Sequence, residues 1–393
     1  MRFALASFLL LCKVILISTD SDNHSKIVKY LQKFGYSLER HEIQTQDGYI
    51  LTVQKILHER QSNQSKNVAL LVHGLGGSGE NFIFAGPQRS LAFLLADRGY
   101  DVWLFQARGT PLSRKHRTLH PTKDRKKFWN FSWHELGVYD LKDTIDYVLN
   151  TTGSDGLFLV GHSQGGTIFF VMMSEFPELN EKIRAAGMLA PGVFTGYTQA
   201  SLLLLAAKLY PLLERVAHFI GFYELPIPNS QTLPKLLQAL CTGDMLKICI
   251  DIAFAFMGPY NDLWPNDQFP FMLQYFPAGC SLKQVGHYAQ IITAKKFVKY
   301  NHGPQKNMKL YNSTEPPEYN LGNVKMPIAI FFGMQDPFAN TKMMEILKSN
   351  LPNVVSYNKM PIEEWNHLDF LWNKDLAKLV NEPLLEIFKK YES

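Results

Sequence analysis

The segment that most restricts how this chain can fold runs from Leu157 to Ser174. Leu157-Phe-Leu-Val160 reads as a buried strand, Gly161-His162-Ser163-Gln164-Gly165 follows at once, and an apolar helical pattern runs from Thr167 to Ser174. A strand that turns into a helix over so few residues is crowded at the turn, and glycines on either side of the serine relieve the crowding. The serine hydroxyl is then held out at the top of a sheet, where it can serve as a nucleophile.

Such a turn needs an α/β framework around it, and the rest of the chain supplies one. Val68 to Val72, Asp101 to Phe105, Ala185 to Ala190 and Ile328 to Phe332 are further short apolar runs, with Val354 to Tyr357 as a weaker one. Helical patterns, including Trp133 to Leu149 and Thr341 to Leu347, separate several of them. The alternation predicts a mostly parallel sheet with helices on both faces. Ligands in such sheets bind beyond the carboxyl ends of the strands. The alternation stops between about residues 192 and 322. There the pattern becomes helical and irregular, with Leu-rich stretches at Ser201 to Leu213 and Leu233 to Leu240, then prolines and aromatics from Pro259 to Pro277. The expected organisation is a core from residues 19–191 and 323–393, with 192–322 inserted as a cap.

A serine hydroxyl needs a base to act as a nucleophile. In hydrolases built on this strand–turn–helix element, serine, acid and histidine follow one another along the chain. Asp336 closes the strand Ile328-Ala-Ile-Phe-Phe-Gly-Met-Gln-Asp336, whereas Asp244, Asp251, Asp262 and Asp267 fall inside the expected cap. One histidine, His367, lies beyond Asp336. The expected triad is therefore Ser163, Asp336 and His367. Two backbone N–H groups, from Gln164 and from Leu75 in the loop after His73-Gly74, are the expected oxyanion donors. The chain has no H-E-x-x-H, no paired C-x-x-C, no P-loop and no dinucleotide fingerprint, so no metal or cofactor is expected.

Residues 1–18 combine Arg2 with an apolar stretch and small or polar residues at Ser18 and Thr19, the pattern of a signal peptide. Lys13 interrupts the stretch, which is shorter than the roughly 20 apolar residues of a membrane span. Five sequons, at Asn23, Asn63, Asn130, Asn150 and Asn312, agree with passage through the ER, so a secreted or lysosomal location is expected. Without Cys12, the cysteines are Cys241, Cys249 and Cys280. An odd number suggests one bridge and one free thiol, and Cys241–Cys249 closes the shortest loop. Stability must come from the core, for which a chain of 46% hydrophobic residues is well supplied. Without Arg2 and Lys13, 38 basic residues face 35 acidic ones, a balance that gives no footprint for nucleic acid. Lys123-Asp-Arg-Lys-Lys127 reads as a solvated loop.

With these residues in view, the chain resembles the acid lipase family, the gastric and lysosomal acid lipases and their relatives, from about Ile27 to Tyr391. The resemblance is carried by Gln46-Asp-Gly-Tyr-Ile-Leu51, His73-Gly-Leu75, Ala107-Arg-Gly109, Ser113-Arg-Lys-His116, Phe128-Trp-Asn-Phe-Ser-Trp133, Gly161-His-Ser-Gln-Gly-Gly166, Pro277-Ala-Gly279 and Asn366-His-Leu-Asp-Phe370. It implies the α/β-hydrolase fold with a cap and hydrolysis of triacylglycerols or cholesteryl esters. It further implies a lipid ester substrate met at a lipid–water interface, with no obligate protein partner. Gln106 and Thr110 depart from the family's usual asparagines, Gly76-Gly77 replaces bulkier residues, and Cys280 stands where threonine is commoner. These departures bear on acyl-chain preference, which the resemblance leaves open, as it leaves open a carboxylesterase or thioesterase of smaller esters. The same framework without activity would be a lipid carrier. Within the cap, a helix over Ser201 to Leu213 aligns Leu202, Leu205, Leu209 and Leu212 or Leu213 in one stripe. That stripe is expected either to line the path of an acyl chain or to pack on the core.

Overall fold

The computed structural model describes residues 26–58, 67–225, 240–243, 245–266 and 268–392. The expected signal peptide, Asn23, Asn63 and most of the Leu233 to Leu240 stretch lie outside the described residues.

Nine strands form one sheet. In chain order they are β1 (Tyr36–Gln44), β2 (Tyr49–His58), β3 (Val68–Val72), β4 (Asp101–Leu104), β5 (Lys115–His116), β6 (Leu157–His162), β7 (Ile183–Leu189), β10 (Ile328–Phe332) and β11 (Val354–Lys359). A separate pair, β8 (Glu224–Leu225) and β9 (Cys280–Ser281), lies between the last two and the rest of the sheet in sequence. The sheet order is β1-β2-β4-β3-β6-β7-β10-β11, with β5 beside β2. From β4 to β11 neighbours are parallel, while β1 and β2 pair antiparallel. Every residue of β3 and β10 is buried, as a parallel sheet covered on both faces requires. The expected α/β fold with a mostly parallel sheet is what forms.

Long helices follow the strands: α1 (Lys142–Thr152), α2 (Gln164–Glu175), α3 (Ser201–Phe219), α4 (Met245–Met257), α5 (Leu282–Ala294) and α6 (Thr341–Asn350). Their ends obey local chemistry. Gly153 closes α1 in the left-handed region, at φ 67°. Asn340 caps α6 by accepting from Met343 N at 3.1 Å. Ser281 and Gln284 make a reciprocal box at the start of α5, with bonds of 3.1 and 2.8 Å.

Strands β7 and β10 are separated by well over a hundred residues in sequence yet lie side by side in the sheet. Helices α3, α4 and α5 come from that interval, and among the described residues it adds no strand to the main sheet. Such an excursion between neighbouring strands leaves the sheet intact and sets a layer of helices over its carboxyl edge.

Cys241 and Cys249 are joined by a disulfide, with Cα atoms 5.7 Å apart, and Cys280 is free and buried. Burial pushes the Cys280 thiol up to about 12, with Glu224 adding to the effect. A thiol reacts as the thiolate. In the protein without residues 1–18, and so without Cys12, Cys280 should therefore resist iodoacetamide at neutral pH in the folded state and be the thiol labelled after unfolding without reductant. Mass spectrometry that found Cys280 modified in the native state would contradict this packing.

Candidate active site

Ser163 sits between β6 and α2 with φ 54° and ψ −117°, a backbone conformation that costs a non-glycine residue on the order of 1–3 kcal/mol. Its neighbours must give way. A Cβ on Gly165 would lie 2.1 Å from Val72 O, and one on Gly161 would lie 2.8 Å from the backbone of Gly165 and Gly166. The strand–turn–helix element thus requires the glycines that the sequence places around the serine.

Asp336 follows β10 and His367 follows β11, so all three side chains gather at the carboxyl ends of parallel strands. His367 Nδ1–H donates to Asp336 Oδ2 at 2.8 Å and also lies 3.0 Å from Oδ1. With that nitrogen protonated, Nε2 is the acceptor, and the Ser163 hydroxyl donates to it at 2.7 Å. Asp336 is fully buried and His367 nearly so. Asp336 Oδ1 also accepts from the backbone N–H groups of Phe338 and Ala339, at 2.8 and 3.1 Å, so the carboxylate is fixed before it meets the ring.

Leu75 lies in the loop after β3 and lines the same cavity as Ser163. Gly74 lets this loop approach: a Cβ there would sit 2.9 Å from Ser163 Cβ. Gln164 is the first residue of α2, and N–H groups in a first helical turn have no partner within the helix. His73 is held in one tautomer, donating from Nδ1 to Gly74 O at 2.8 Å while Ala107 N–H donates to Nε2 at 3.1 Å.

The cavity above Ser163 has a volume of about 240 Å³ and is almost wholly apolar, with Leu203, Ala206, Tyr288, Ile292, Phe338 and Leu371 in its walls. Among the described residues no group of three His, Cys, Asp or Glu side chains could hold a metal ion.

Comparison with known proteins agrees with this geometry. Residues 27–86 match a family model described as a partial alpha/beta-hydrolase lipase region, and residues 67–219 match the alpha/beta hydrolase fold. Lipase 1 of Drosophila melanogaster is 38% identical over 94% of this chain and 81% of its own length. Human lysosomal acid lipase/cholesteryl ester hydrolase is 32% identical over 96% of this chain and 94% of its own. Human gastric triacylglycerol lipase is 34% identical over 94% and 91%. The chain belongs to the acid lipase family. It is a serine hydrolase of ester bonds with the α/β-hydrolase fold. A putative lipase from Sulfolobus solfataricus shares that fold at TM-score 0.62 and 16% identity, covering 91% of this chain and 95% of that one.

The segment after β4 carries a buried polar network. Arg108 is buried, donates to Asp140 and Asp47, and lies 3.9 Å from the centre of the Tyr49 ring. Gln106 donates to Gln54 at 2.7 Å and Glu80 at 2.8 Å. The segment between β7 and β10 touches each part of the site. Ala278 N donates to Gly76 O in the loop of Leu75, Gln284 Nε2 donates to Gln164 Oε1 at 2.7 Å, and His367 N donates to Met257 O at 3.0 Å. The sequence reading did not single out Gln284 or the α5 residues Val285, Tyr288, Ala289 and Ile292 that wall the cavity. Their spacing of three and four residues was the available signal.

Burial keeps three histidines, His162, His73 and His287, neutral. His162 is held down to about 3, aided by His367, and its Nε2–H donates to His367 O at 3.0 Å. Burial holds His73 at about 4, and His287, stacked 3.5 Å from Trp133, at about 3. An unfolded histidine titrates near 6.5, so below that pH the unfolded chain takes up protons that these rings refuse. Their contribution is present above about 6.5 and is lost as pH falls toward 4, by about 1.4 kcal/mol per pH unit for each ring. Asp369 works the other way: burial raises it to about 6, so it gains protons in the fold first as pH falls from 6 toward 4. His134 and His302, which burial also lowers, add to this loss, and Asp140, which burial also raises to about 6, opposes it; the rings outnumber the carboxyls and leave a net acid loss. The melting temperature should fall by several degrees from about pH 7 to about pH 4.5, and His287→Gln should recover part of that fall. An acid loss unaltered in the variant would contradict the account.

Proposed function

We propose that the chain hydrolyses carboxylic esters of lipids, triacylglycerols or cholesteryl esters, through an acyl-enzyme on Ser163. The observation that carries this is the continuous Ser163–His367–Asp336 hydrogen-bonded chain at the floor of an apolar cavity. In the acylation half, His367 Nε2 takes the hydroxyl proton as Ser163 Oγ attacks the ester carbonyl, and Asp336 holds the ring and stabilises the imidazolium. The N–H groups of Leu75 and Gln164 receive the negative charge on the carbonyl oxygen. His367 then delivers the proton to the departing alcohol. In the second half water gives its proton to His367, attacks the acyl-enzyme, and the fatty acid leaves as Ser163 recovers its proton. Labelling of Ser163 by a fluorophosphonate, with turnover of emulsified triolein and cholesteryl oleate between pH 4 and 8, tests the reading. A protein that hydrolyses dissolved short esters but neither emulsion would be a small-ester esterase.

The surface of α3 supports action at a lipid–water interface. Leu205, Leu209, Leu212 and Leu213 are 53%, 44%, 61% and 55% exposed, and Ile248 and Ile252 of α4 are 49% and 59% exposed. The Leu-rich stripe is therefore exposed, neither lining the acyl path nor packing on the core, which corrects both placements expected from its spacing. The opposite side of α3 supplies Leu203, Ala206, Ala207 and Tyr210 to the cavity. An exposed apolar face beside a catalytic cavity suits adsorption to lipid. Leu205→Asp together with Leu212→Asp should lower turnover of emulsified triolein about tenfold or more, while hydrolysis of dissolved butyrate esters changes little. Equal loss on both substrates would remove the interface from the proposal.

Among the described residues no helix is long and apolar enough to cross a membrane. Asn130, Asn150 and Asn312 are exposed and accessible to glycosylation. Together with the N-terminal pattern they support a secreted or lysosomal protein, with residues 192–322 as its cap.

A further inference from the structure

The cavity over Ser163 is small for a long-chain lipid ester. Its roughly 240 Å³ falls below the range of about 300–1,000 Å³ that encloses drug-sized ligands. Directly behind it lies a second cavity of about 560 Å³. Only three residues line both: Ala207 and Tyr210 of α3, and Ala289 of α5. On α5, Val285, Tyr288, Ala289 and Ile292 face the first cavity, while Gly286, Ala289, Gln290 and Thr293 face the second.

The partition is thin at Ala207 and Ala289, whose side chains are small. Ala207 and Ala289 oppose one another across the α3–α5 contact and form, with Ile292 and Tyr210, a small cluster separate from the main core. The helices can approach this closely because Gly286 lies under Tyr210, where a Cβ would be 2.7 Å from the ring. Tyr210 is fixed by its hydroxyl, which donates to Leu282 O. The far cavity is lined by apolar surface at Pro211, Ala294 and Val298 and by polar groups that include Glu214, Glu315 and the ion pair Lys296–Glu318.

We infer that Ala207 and Ala289 set acyl-chain length: the distal part of a long chain runs over these two small residues, which line both cavities, into the second cavity, while the ester and its first methylenes occupy the first. This rests on the proposal that Ser163 is acylated by long-chain esters. It assigns specificity to two residues outside the triad, and it gives the second cavity a ligand class, the end of an acyl chain.

The test is a series of p-nitrophenyl esters from four to eighteen carbons, read as kcat/KM against chain length. Thr293→Trp fills the second cavity from an exposed position on its rim, away from Ser163 and the partition. Each methylene denied burial costs about fourfold, so the ratio of the longest to the shortest ester should fall by tenfold or more. Ala207→Leu narrows the passage itself and should truncate the profile at a shorter chain. If Thr293→Trp leaves the profile unaltered, or lowers all chain lengths equally, the inference is overturned. Its failure is distinguishable from failure of the underlying reading: in the latter case the unmutated protein itself would leave Ser163 unlabelled or long esters untouched.

Discussion

Ser163→Ala is expected to lower kcat by roughly a million-fold, the scale reached when a triad nucleophile is removed. The size of the effect follows from the geometry. Ser163 Oγ is the atom within 2.7 Å of His367 Nε2, and it stands at the floor of the cavity. Without it no acyl-enzyme forms, and water must attack the ester directly. The proposed oxyanion donors at Leu75 and Gln164 remain, so a residual rate over the uncatalysed reaction should persist. The substitution should also relieve little strain, because alanine keeps a Cβ at φ 54°. A small change in melting temperature with a collapse of kcat is the expected pair of results. Retention of more than about a hundredth of kcat would remove Ser163 from the mechanism.

Much of this arrangement was legible in the sequence because the nucleophile turn is overdetermined. Gly161 and Gly165 are demanded by contacts of 2.8 and 2.1 Å, and no other residue type satisfies them. Asp336 and His367 were reached by order along the chain, since the carboxyl edge of a parallel sheet collects residues in strand order. The strands with continuous apolar runs were read for the same reason that they form, burial on both faces. Strands β1 and β2 were not. Strand β1 carries charged, exposed residues such as Glu39 and Arg40 at the edge of the sheet, and its pairing with β2 is set by register rather than by an apolar run. Helix α3 shows a different limit. Its periodicity was evident, but periodicity does not say which side meets protein. The usual inward placement of an apolar stripe fails for this helix, whose outer leucines are exposed. The walls from α5 depend on a contact between two segments far apart in the chain, which no local pattern records.

Asp336→Asn is expected to lower kcat on the order of ten-thousand-fold while leaving the fold in place. The aspartate accepts from His367 Nδ1–H and from the N–H groups of Phe338 and Ala339. An asparagine can turn its carbonyl oxygen toward those two backbone donors, which are fixed. Its amide nitrogen then faces His367 Nδ1 and donates to it. The ring is forced into the Nε2–H tautomer, so the nitrogen facing Ser163 becomes a donor and cannot take the hydroxyl proton. The negative charge that stabilises the imidazolium is lost as well. Removing the oxygen altogether, in Asp336→Ala, leaves the Phe338 and Ala339 donors without their acceptor at a fully buried site, so that variant should lose stability as well as activity. The two variants therefore separate positioning from folding. Asp336→Asn should melt near the unmutated protein and turn over slowly, with Ser163 phosphonylated at a correspondingly reduced rate. Near-normal turnover in Asp336→Asn would show that another carboxylate serves His367, and the buried Asp369, two residues further along the chain, would be the one to replace next.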